Sequence, residues 1–182
     1  MKRGLEMLKL VGELVGFLAV TTGFVMFQQK RKKNVLVLKI VCDVLWSTHF
    51  LLLGAFSGMA ISLVGCLRDT TFLLTGGDKS KRRALWLLAF LSINVTCVCL
   101  TWKSVWSVCS LISGILSTIA FWSDSPTRTK IISLVVCCSQ ITYAIAVGSL
   151  AAVFNETIAV ISIVLFFVRI KKAQKPKMTD KI

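Results

Sequence analysis

Five ionisable side chains interrupt the otherwise apolar stretch from residue 39 to residue 69: Lys39, Asp43, His49, Arg68 and Asp69. A charge inside an apolar helix costs about 2.5–3.5 kcal/mol on membrane-insertion scales, so such groups usually face a bundle interior or a water-filled cavity. Carboxylates and an arginine can bind a charged solute, and a histidine can exchange a proton. Since His49 is the only histidine of the chain, this stretch is the first candidate for a functional site.

Helical spacing places four of the side chains in this region on one stripe. Lys39, Asp43, Trp46 and Phe50 follow each other at intervals of three or four residues, which puts them on one helix face. Lys39 and Asp43 stand at i and i+4 and can form an ion pair. His49 lies about 80° to one side of the stripe. The stripe therefore predicts a polar and aromatic wall.

A short break at Ser57–Gly58 is expected to separate two antiparallel helices. Arg68 lies ten residues beyond this break, so we expect it at the depth of Trp46, within reach of Asp43. A buried arginine needs a carboxylate partner. Asp43 and Arg68 are thus predicted to lie close together.

Two interpretations of this stretch stay open. In the first, the polar residues line a binding cavity, with Asp43 and Arg68 as charge partners and His49 as a hydrogen-bonding or proton-exchanging group. In the second, Asp43 and Arg68 form a structural ion pair between helices, and His49 binds the backbone. The candidate substrate-binding residues, with milder ones from the second half of the chain, are Asp43, Trp46, His49, Arg68, Asp69, Tyr143, Asn155 and Glu156.

The composition indicates a membrane protein. Of the 182 residues, 55% are hydrophobic and 16% are charged, against about 45–50% and about 25% in soluble domains. Apolar runs of about 18–23 residues, long enough to cross a hydrocarbon core of about 30 Å, alternate with short basic clusters. We predict an all-α bundle of seven transmembrane helices, at residues 11–27, 35–56, 59–75, 84–102, 105–122, 131–150 and 153–170.

The basic residues predict the orientation of these spans. With seven spans, sixteen lysines and arginines fall on one side and four on the other. Because loops rich in lysine and arginine stay in the cytoplasm, we expect an outside N-terminus and a cytoplasmic C-terminus. The basic residues of the N-terminal segment depart from this rule.

The two halves of the chain share one layout. Matching Phe27 with Phe121 sets Gly54 opposite Gly148 and His49 opposite Tyr143 at a constant shift of 94 residues. Parallel three-helix repeats occur in small transporters, although chance similarity between apolar helices is the alternative. The predicted single domain contains a first repeat (1–76), a linker helix (84–102), a second repeat (104–172) and a polar cytoplasmic tail (173–182). Because the second half has no arginine opposite Arg68, the charged residues are expected to act in the first half.

The segment HFLLLGAFSG at 49–58, followed by an arginine within the membrane at Arg68, resembles the YgjV-type bacterial inner-membrane proteins. The similarity in size and spacing covers nearly the whole chain. The helix layout is similar to that of the SWEET/PQ-loop group of small transporters, which implies a solute carrier. No Pro-Gln dipeptide occurs in the first or fifth segment, so the resemblance does not extend to sugar transport or to gating at a proline hinge.

Other functional classes have little support. There is no Ser-His-Asp or HExxH pattern and no glycine-rich phosphate loop, so we predict no enzyme, no metal site and no cofactor. The seven cysteines lie within apolar runs without a CxxC pair and are expected to fill packing gaps. The net charge of +14 is concentrated at span ends, which favours anionic lipid headgroups at the cytoplasmic face and argues against nucleic acid. Polar residues such as Asn94 and Gln140 are interpreted as packing groups.

Two functions are therefore considered for a bacterial inner-membrane location. The first is a small-solute carrier with a polar site near the bilayer midplane. The second is a non-transporting membrane protein, such as a subunit or sensor, whose polar residues only fix helix packing. A polar cavity between the two halves favours the first, and a tightly packed apolar core favours the second. We expect the bilayer and an unidentified small solute as partners; a homo-oligomer is compatible with either function.

Overall fold

A computed structural model describes residues 2–29, 31–75, 82–123 and 125–174. Within these ranges the chain forms seven α-helices and no strand. The expected break at 76–78, the basic residues at 30, 79 and 81 and most of the polar tail lie outside them. The helices are α1 (Lys2–Phe27), α2 (Lys32–Leu52), α3 (Phe56–Thr75), α4 (Arg82–Leu100), α5 (Ser107–Phe121), α6 (Pro126–Val147) and α7 (Leu150–Gln174).

Four of these helices are long and apolar enough to cross a membrane. The qualifying segments are Glu6–Met26 in α1, Lys33–Leu52 in α2, Thr127–Val147 in α6 and Leu150–Lys171 in α7. Helices α4 and α5 contribute the shorter apolar segments Ala84–Leu100 and Ser107–Ala120. Helix α3 contains Arg68 and Asp69 in its second half.

Apolar side chains cover the outside of the bundle, and small or polar side chains fill its inside. Leucine, valine, isoleucine and phenylalanine side chains are exposed along α1, α6 and α7. The buried positions contain many alanines and serines, together with His49, Arg68, Asp69, Asn94 and Thr118. In a water-soluble protein the large apolar side chains are mostly buried and the polar side chains are mostly exposed. Small interior residues allow the close helix packing that is typical of membrane bundles.

Consecutive helices pack against each other in two groups. Helices α1, α2 and α3 form the first group, and α5, α6 and α7 form the second. Helix α4 contacts α3 and α5. The groups also meet directly, because α3 contacts α5 and α1 contacts α7. The interior therefore has walls from both groups and from α4.

The turn between α2 and α3 lies earlier than the sequence pattern indicated. The expected break at Ser57–Gly58 is wrong, since both residues belong to the first turn of α3. The chain turns at Gly54, whose φ of 68° lies in the left-handed region, where glycine is favoured because it has no Cβ. The Ser57 hydroxyl, which suggested a turn, instead donates to Thr101 O at 3.1 Å.

The turn between α6 and α7 is also earlier than expected. Helix α6 ends at Val147 and α7 begins at Leu150, whereas the predicted spans were 131–150 and 153–170. Gly148 has a φ of 73° and caps α6 in the left-handed conformation. Helix α1 begins at Lys2, well before the predicted start at residue 11, because the charged lead continues the helix beyond the apolar run.

The position of the first turn changes the depth of Arg68. Arg68 lies fourteen residues beyond Gly54, so it is level with the third turn of α2. The expected level, near Trp46, is therefore wrong by about two helical turns. Arg68 and Asp69 are instead at the depth of Lys39 and Asp43.

Candidate functional site

Four charged side chains of α2 and α3 form one ion-pair network. Lys39 Nζ lies 2.8 Å from Asp69 Oδ2 and 3.3 Å from Asp43 Oδ1. The Arg68 Nε–H donates to Asp69 Oδ1 at 3.0 Å. Asp69 is completely buried, and the Arg68 side chain is 7% exposed. The predicted Lys39–Asp43 pair is confirmed, and the two positive charges of the network balance its two negative charges.

Asp43 and Arg68 approach the same point on α3. A Cβ atom added to Gly65 would lie 3.4 Å from Asp43 Oδ2 and 3.8 Å from Arg68 Nη2. Both are ordinary van der Waals distances, so a methyl group would fit at this position. The Asp43 carboxylate and the Arg68 guanidinium thus both lie close to α3 at Gly65.

A polar cavity of about 170 Å³ lies beside this network. Its volume is close to that of an engineered apolar cavity of about 150 Å³ that binds benzene. Helices α2 to α7 all contribute side chains to its wall, so the cavity lies between the two helix groups. The lining residues are Lys39, Asp43, Trp46, Phe50, Ile61, Ser62, Gly65, Arg68, Asn94, Ser117, Thr118, Gln140, Ala152 and Glu156.

The predicted stripe on α2 forms one wall of this cavity. Lys39, Asp43, Trp46 and Phe50 all line it. The Trp46 and Phe50 rings stack with their centroids 5.9 Å apart. The cavity thus has charged groups at the Lys39 end of α2 and aromatic surface one to three turns further along.

Helices α4 and α5 provide an uncharged polar wall. The Asn94 side chain is buried, and its Nδ2 donates to Phe90 O at 2.9 Å and to Thr118 Oγ1 at 3.2 Å. The Thr118 hydroxyl in turn donates to Gly114 O at 2.8 Å. These bonds orient Asn94 and Thr118 and satisfy their donors.

A second, larger space adjoins the cavity. This groove has a volume of about 660 Å³ and is lined by α1, α6, α7 and Lys39 of α2. It reaches Thr129 and Lys130 near the start of α6. Lys39 and Glu156 line both the groove and the cavity. These two side chains therefore stand where the two spaces meet.

Glu156 differs from the other carboxylates at the cavity. Asn155 Nδ2 donates to Glu156 Oε1 at 3.0 Å. Within the described part of the chain Glu156 forms no ion pair, whereas Asp43 and Asp69 each bind Lys39. Glu156 thus adds a carboxylate without a cationic partner to the cavity wall, and charged side chains come from both halves of the chain.

His49 lies away from the cavity and connects three elements. Its Nδ1 is 2.7 Å from Gly12 O in α1, and its Nε2 is 2.7 Å from Ser149 Oγ in the α6–α7 turn. A carbonyl can only accept, so Nδ1 carries a proton; in a neutral ring Nε2 then accepts from the Ser149 hydroxyl. The side chain is completely buried. Both ring nitrogens are therefore satisfied in the neutral form.

The same region caps the N-terminus of α7. The Glu13 carboxylate accepts from the Leu150 N–H at 3.2 Å and from the Ala151 N–H at 2.8 Å. The Ser149 Oγ accepts from the Ala152 N–H at 3.1 Å. Three N–H groups that lack partners within the helix are thereby satisfied, and the Glu13 charge is favourable at this end of the helix dipole.

The structure separates the eight candidate residues into two groups. Tyr143 is buried against Phe50, and its hydroxyl accepts from the Gly58 N–H at 2.9 Å. Like His49, it is not part of the cavity wall. Asp69 holds Lys39 and Arg68 from behind the wall, and Asn155 lines the groove. The candidates that line the cavity are Asp43, Trp46, Arg68 and Glu156.

Several cavity residues were not among the sequence candidates. Lys39 lies on the predicted stripe but was assigned only to an ion pair. From the sequence, Asn94 and Gln140 are interpreted as packing groups, and Ser62, Ser117 and Thr118 are not among the predicted site residues. The helical spacing of Asp43, Trp46 and Phe50 was a signal that Lys39, on the same stripe, also lines the cavity. The small hydroxyl residues gave none, because serine and threonine are frequent in membrane helices.

The comparisons with known proteins agree with a membrane location. A family profile described as a bacterial inner membrane protein, Imp-YgjV, matches residues 10–174. Neither the curated proteins nor the solved structures contain a match. The matched region includes every residue of the cavity wall, three of the four long apolar segments completely and most of the first. The chain therefore belongs to the Imp-YgjV family of bacterial inner membrane proteins.

Proposed function

We propose that this protein is a carrier of a small solute and that the cavity between its helix groups is the solute site. The observation that carries the proposal is a polar-lined space of about 170 Å³ in the interior of a membrane protein. Buried polar groups cost free energy unless they are satisfied. If the polar groups served helix packing alone, side chains would be expected to fill this space. A solute site requires the space to stay open.

Hydrogen bonds related by the 94-residue shift support two three-helix repeats, 1–76 and 104–172, joined by α4. The Ala55 N–H donates to Phe50 O at 2.8 Å, and the Ser149 N–H donates to Ala144 O at 2.9 Å. Each pair closes a turn at a left-handed glycine, and the two glycines obey the same shift. The two helical hairpins thus have matching turns.

Contacts between the halves obey the same shift. In one, the Glu13 carboxylate binds the Ala151 N–H at the start of α7. In the other, the Ser107 hydroxyl lies 2.9 Å from the Ser57 hydroxyl at the start of α3. Each half therefore holds the third helix of the other half with its own first helix. A carrier built from parallel repeats can rock about such paired contacts.

Seven membrane spans with an outside N-terminus complete the proposed topology. In this orientation the start of α6 lies at the cytoplasmic side, and the groove that reaches Lys130 opens there. The Glu13 and Ser107 contacts lie at the opposite, outer end. The arrangement then corresponds to an inward-facing state, in which the groove leads through Lys39 and Glu156 to the cavity.

The charge network gives the site a rigid base. Asp69 fixes Lys39 and Arg68 from behind, so their donors are oriented before a solute arrives. Preorganised groups lose little conformational entropy on binding. Asp43, which is 15% exposed and faces Gly65, is the network carboxylate that a solute can reach.

Uptake by purified protein in proteoliposomes tests this proposal. We expect the wild type to accumulate at least one solute from a mixture of small metabolites, and Asp43→Asn to abolish that uptake. Glu6→Gln, a similar change at an exposed position of α1, is the matched control and should keep full activity. Amounts of protein in the liposomes must be equal.

The alternative function is a non-transporting membrane protein in which polar residues hold the helices together. Both ring nitrogens of His49 have hydrogen-bond partners, which favours a packing role for this residue. It predicts that the wild type accumulates no solute and that Asp43→Asn changes only the melting temperature. Measuring uptake and melting on the same preparations separates the two functions.

A further inference from the structure

The cavity and its supporting network contain one more negative charge than positive charges. Lys39 and Arg68 are balanced by Asp43 and Asp69 through the ion pairs described above. Glu156 has no cationic partner in the described part of the chain. An uncompensated carboxylate in an interior of low dielectric is costly. A ligand with a single positive charge would neutralise the cavity.

A second observation indicates a hydrogen-bond donor at the same wall. The buried Gln140 Oε1 has no hydrogen-bond partner among the described residues, and Gln140 lines the cavity. Gln140 belongs to α6 and Glu156 to α7, which are neighbouring helices. Buried acceptors of this kind are normally satisfied. Gln140 Oε1 therefore requires a donor, whereas Glu156, which already accepts from Asn155 Nδ2, lacks a positive charge. An ammonium group provides both.

Aromatic rings line the rest of the space. Trp46 and Phe50 stack at an interplanar angle of 29° and both border the cavity. Aromatic faces attract cations, and quaternary and primary ammonium groups are often bound beside tryptophan. The rings also offer apolar surface to the carbon skeleton of a ligand. The volume limits that skeleton to about the size of a six-carbon ring.

We propose that the solute is a compact ammonium compound with one positive charge, whose N–H groups bind Glu156 and Gln140 while its carbon atoms pack against Trp46 and Phe50. This inference rests on the proposed carrier function and deepens it. Solutes with a single negative charge would add to the existing excess, and a neutral solute would leave the Glu156 charge unbalanced.

Isothermal titration of the purified full chain in detergent with three probes of similar size tests the ligand class. The probes are butylammonium, butan-1-ol and butyrate. We expect butylammonium to bind at least about tenfold more tightly than the other two, since its N–H groups can form charge-assisted hydrogen bonds with the Glu156 carboxylate. Glu156→Gln should weaken its binding at least about tenfold, and Gln140→Leu should also weaken it. Glu6→Gln should leave it unchanged.

Several results overturn the inference. The inference is wrong if butan-1-ol binds as tightly as butylammonium, if butyrate binds more tightly, or if no probe binds. It is also wrong if both Glu156→Gln and Gln140→Leu bind butylammonium as tightly as the wild type does. If the wild type does not bind butylammonium and Glu156→Gln melts at a higher temperature, the Glu156 carboxyl group would be neutralised by a proton rather than by a ligand. The two proposals fail separately: uptake of an anionic solute refutes the ligand class only, whereas butylammonium binding without uptake of any solute refutes the carrier function only.

Discussion

Replacing Asp69 by asparagine changes the charge network at its most buried member. Asp69 is completely buried; its Oδ2 lies 2.8 Å from Lys39 Nζ in an ion pair, and its Oδ1 accepts from the Arg68 Nε–H at 3.0 Å. Asp69→Asn keeps the size of the side chain and removes its charge. Among the described residues, Lys39 then keeps only Asp43 as a carboxylate partner. The network as a whole carries a net charge of +1.

The expected loss of stability follows from the burial of these groups. Removing one partner of a buried ion pair costs about 3–5 kcal/mol because the remaining charge stays buried. For a chain of this size about 1 kcal/mol corresponds to about 2–4 °C. We therefore expect Asp69→Asn to lower the melting temperature by about 6–20 °C. Adding Lys39→Met to this variant makes the network neutral again and should recover part of the loss.

Thermal unfolding in detergent, followed by tryptophan fluorescence, measures both variants. Glu6→Gln, which removes a carboxylate from an exposed position, is the control and should melt like the wild type. The reasoning is refuted if Asp69→Asn melts within about 2 °C of the wild type, which is less than about 1 kcal/mol. It is also refuted if the double variant is less stable than Asp69→Asn alone.

The remaining predictions concern contacts of α1 and α2 with α7 and with the turn that precedes it. Gly16→Ala would place a Cβ 2.6 Å from the Ala151 Cβ, so it should destabilise the protein by about 1–3 kcal/mol; Gly4→Ala, with nothing within 4 Å, should melt at or slightly above the wild-type temperature. Glu13→Ala removes two caps of α7 and should cost about 1–2 kcal/mol, and an unchanged melting temperature would contradict this role. His49→Ala and Ser149→Ala share one hydrogen bond, so a double-mutant cycle of melting experiments should give a coupling of about 0.5–3 kcal/mol; additive effects would contradict that bond.

Much of the helical architecture is predictable from the sequence because long apolar runs must satisfy their backbone groups internally. The constant shift of 94 residues also paired Gly54 with Gly148, the glycines of the two hairpin turns. The exact turns were not predicted, since Ser57 and Gly58 are as compatible with a first helical turn as with a loop. The left-handed conformation of Gly54 decided between them.

Prediction of the site was limited by the same turn. The stripe of Lys39, Asp43 and Trp46 depends only on helical periodicity, and these residues line one wall of the cavity as a result. The depth of Arg68 depends on the position of the turn, and it was wrong by about two turns of helix. Asp69 was a candidate without an assigned partner, because its role depends on which lysine of α2 lies opposite.

Partners that lie far apart in the sequence could not be predicted. His49 binds Gly12 and Ser149, and a lone histidine in an apolar helix gives no sign of either. Glu13 was visible only as a carboxylate near the start of the first span. Its role at the start of α7 follows from the packing of α1 on α7, which periodicity does not encode.

Uptake by a variant with a filled cavity tests the central claim most directly. Ser62 lines the cavity, whereas Leu67, on another face of the same helix, is 57% exposed. Ser62→Phe fills the space without changing any charge, and Leu67→Phe adds an aromatic ring outside the bundle. At equal amounts of folded protein in proteoliposomes, we predict that Ser62→Phe abolishes solute uptake and that Leu67→Phe retains it. Full uptake by Ser62→Phe would contradict the assignment of the cavity as the solute site.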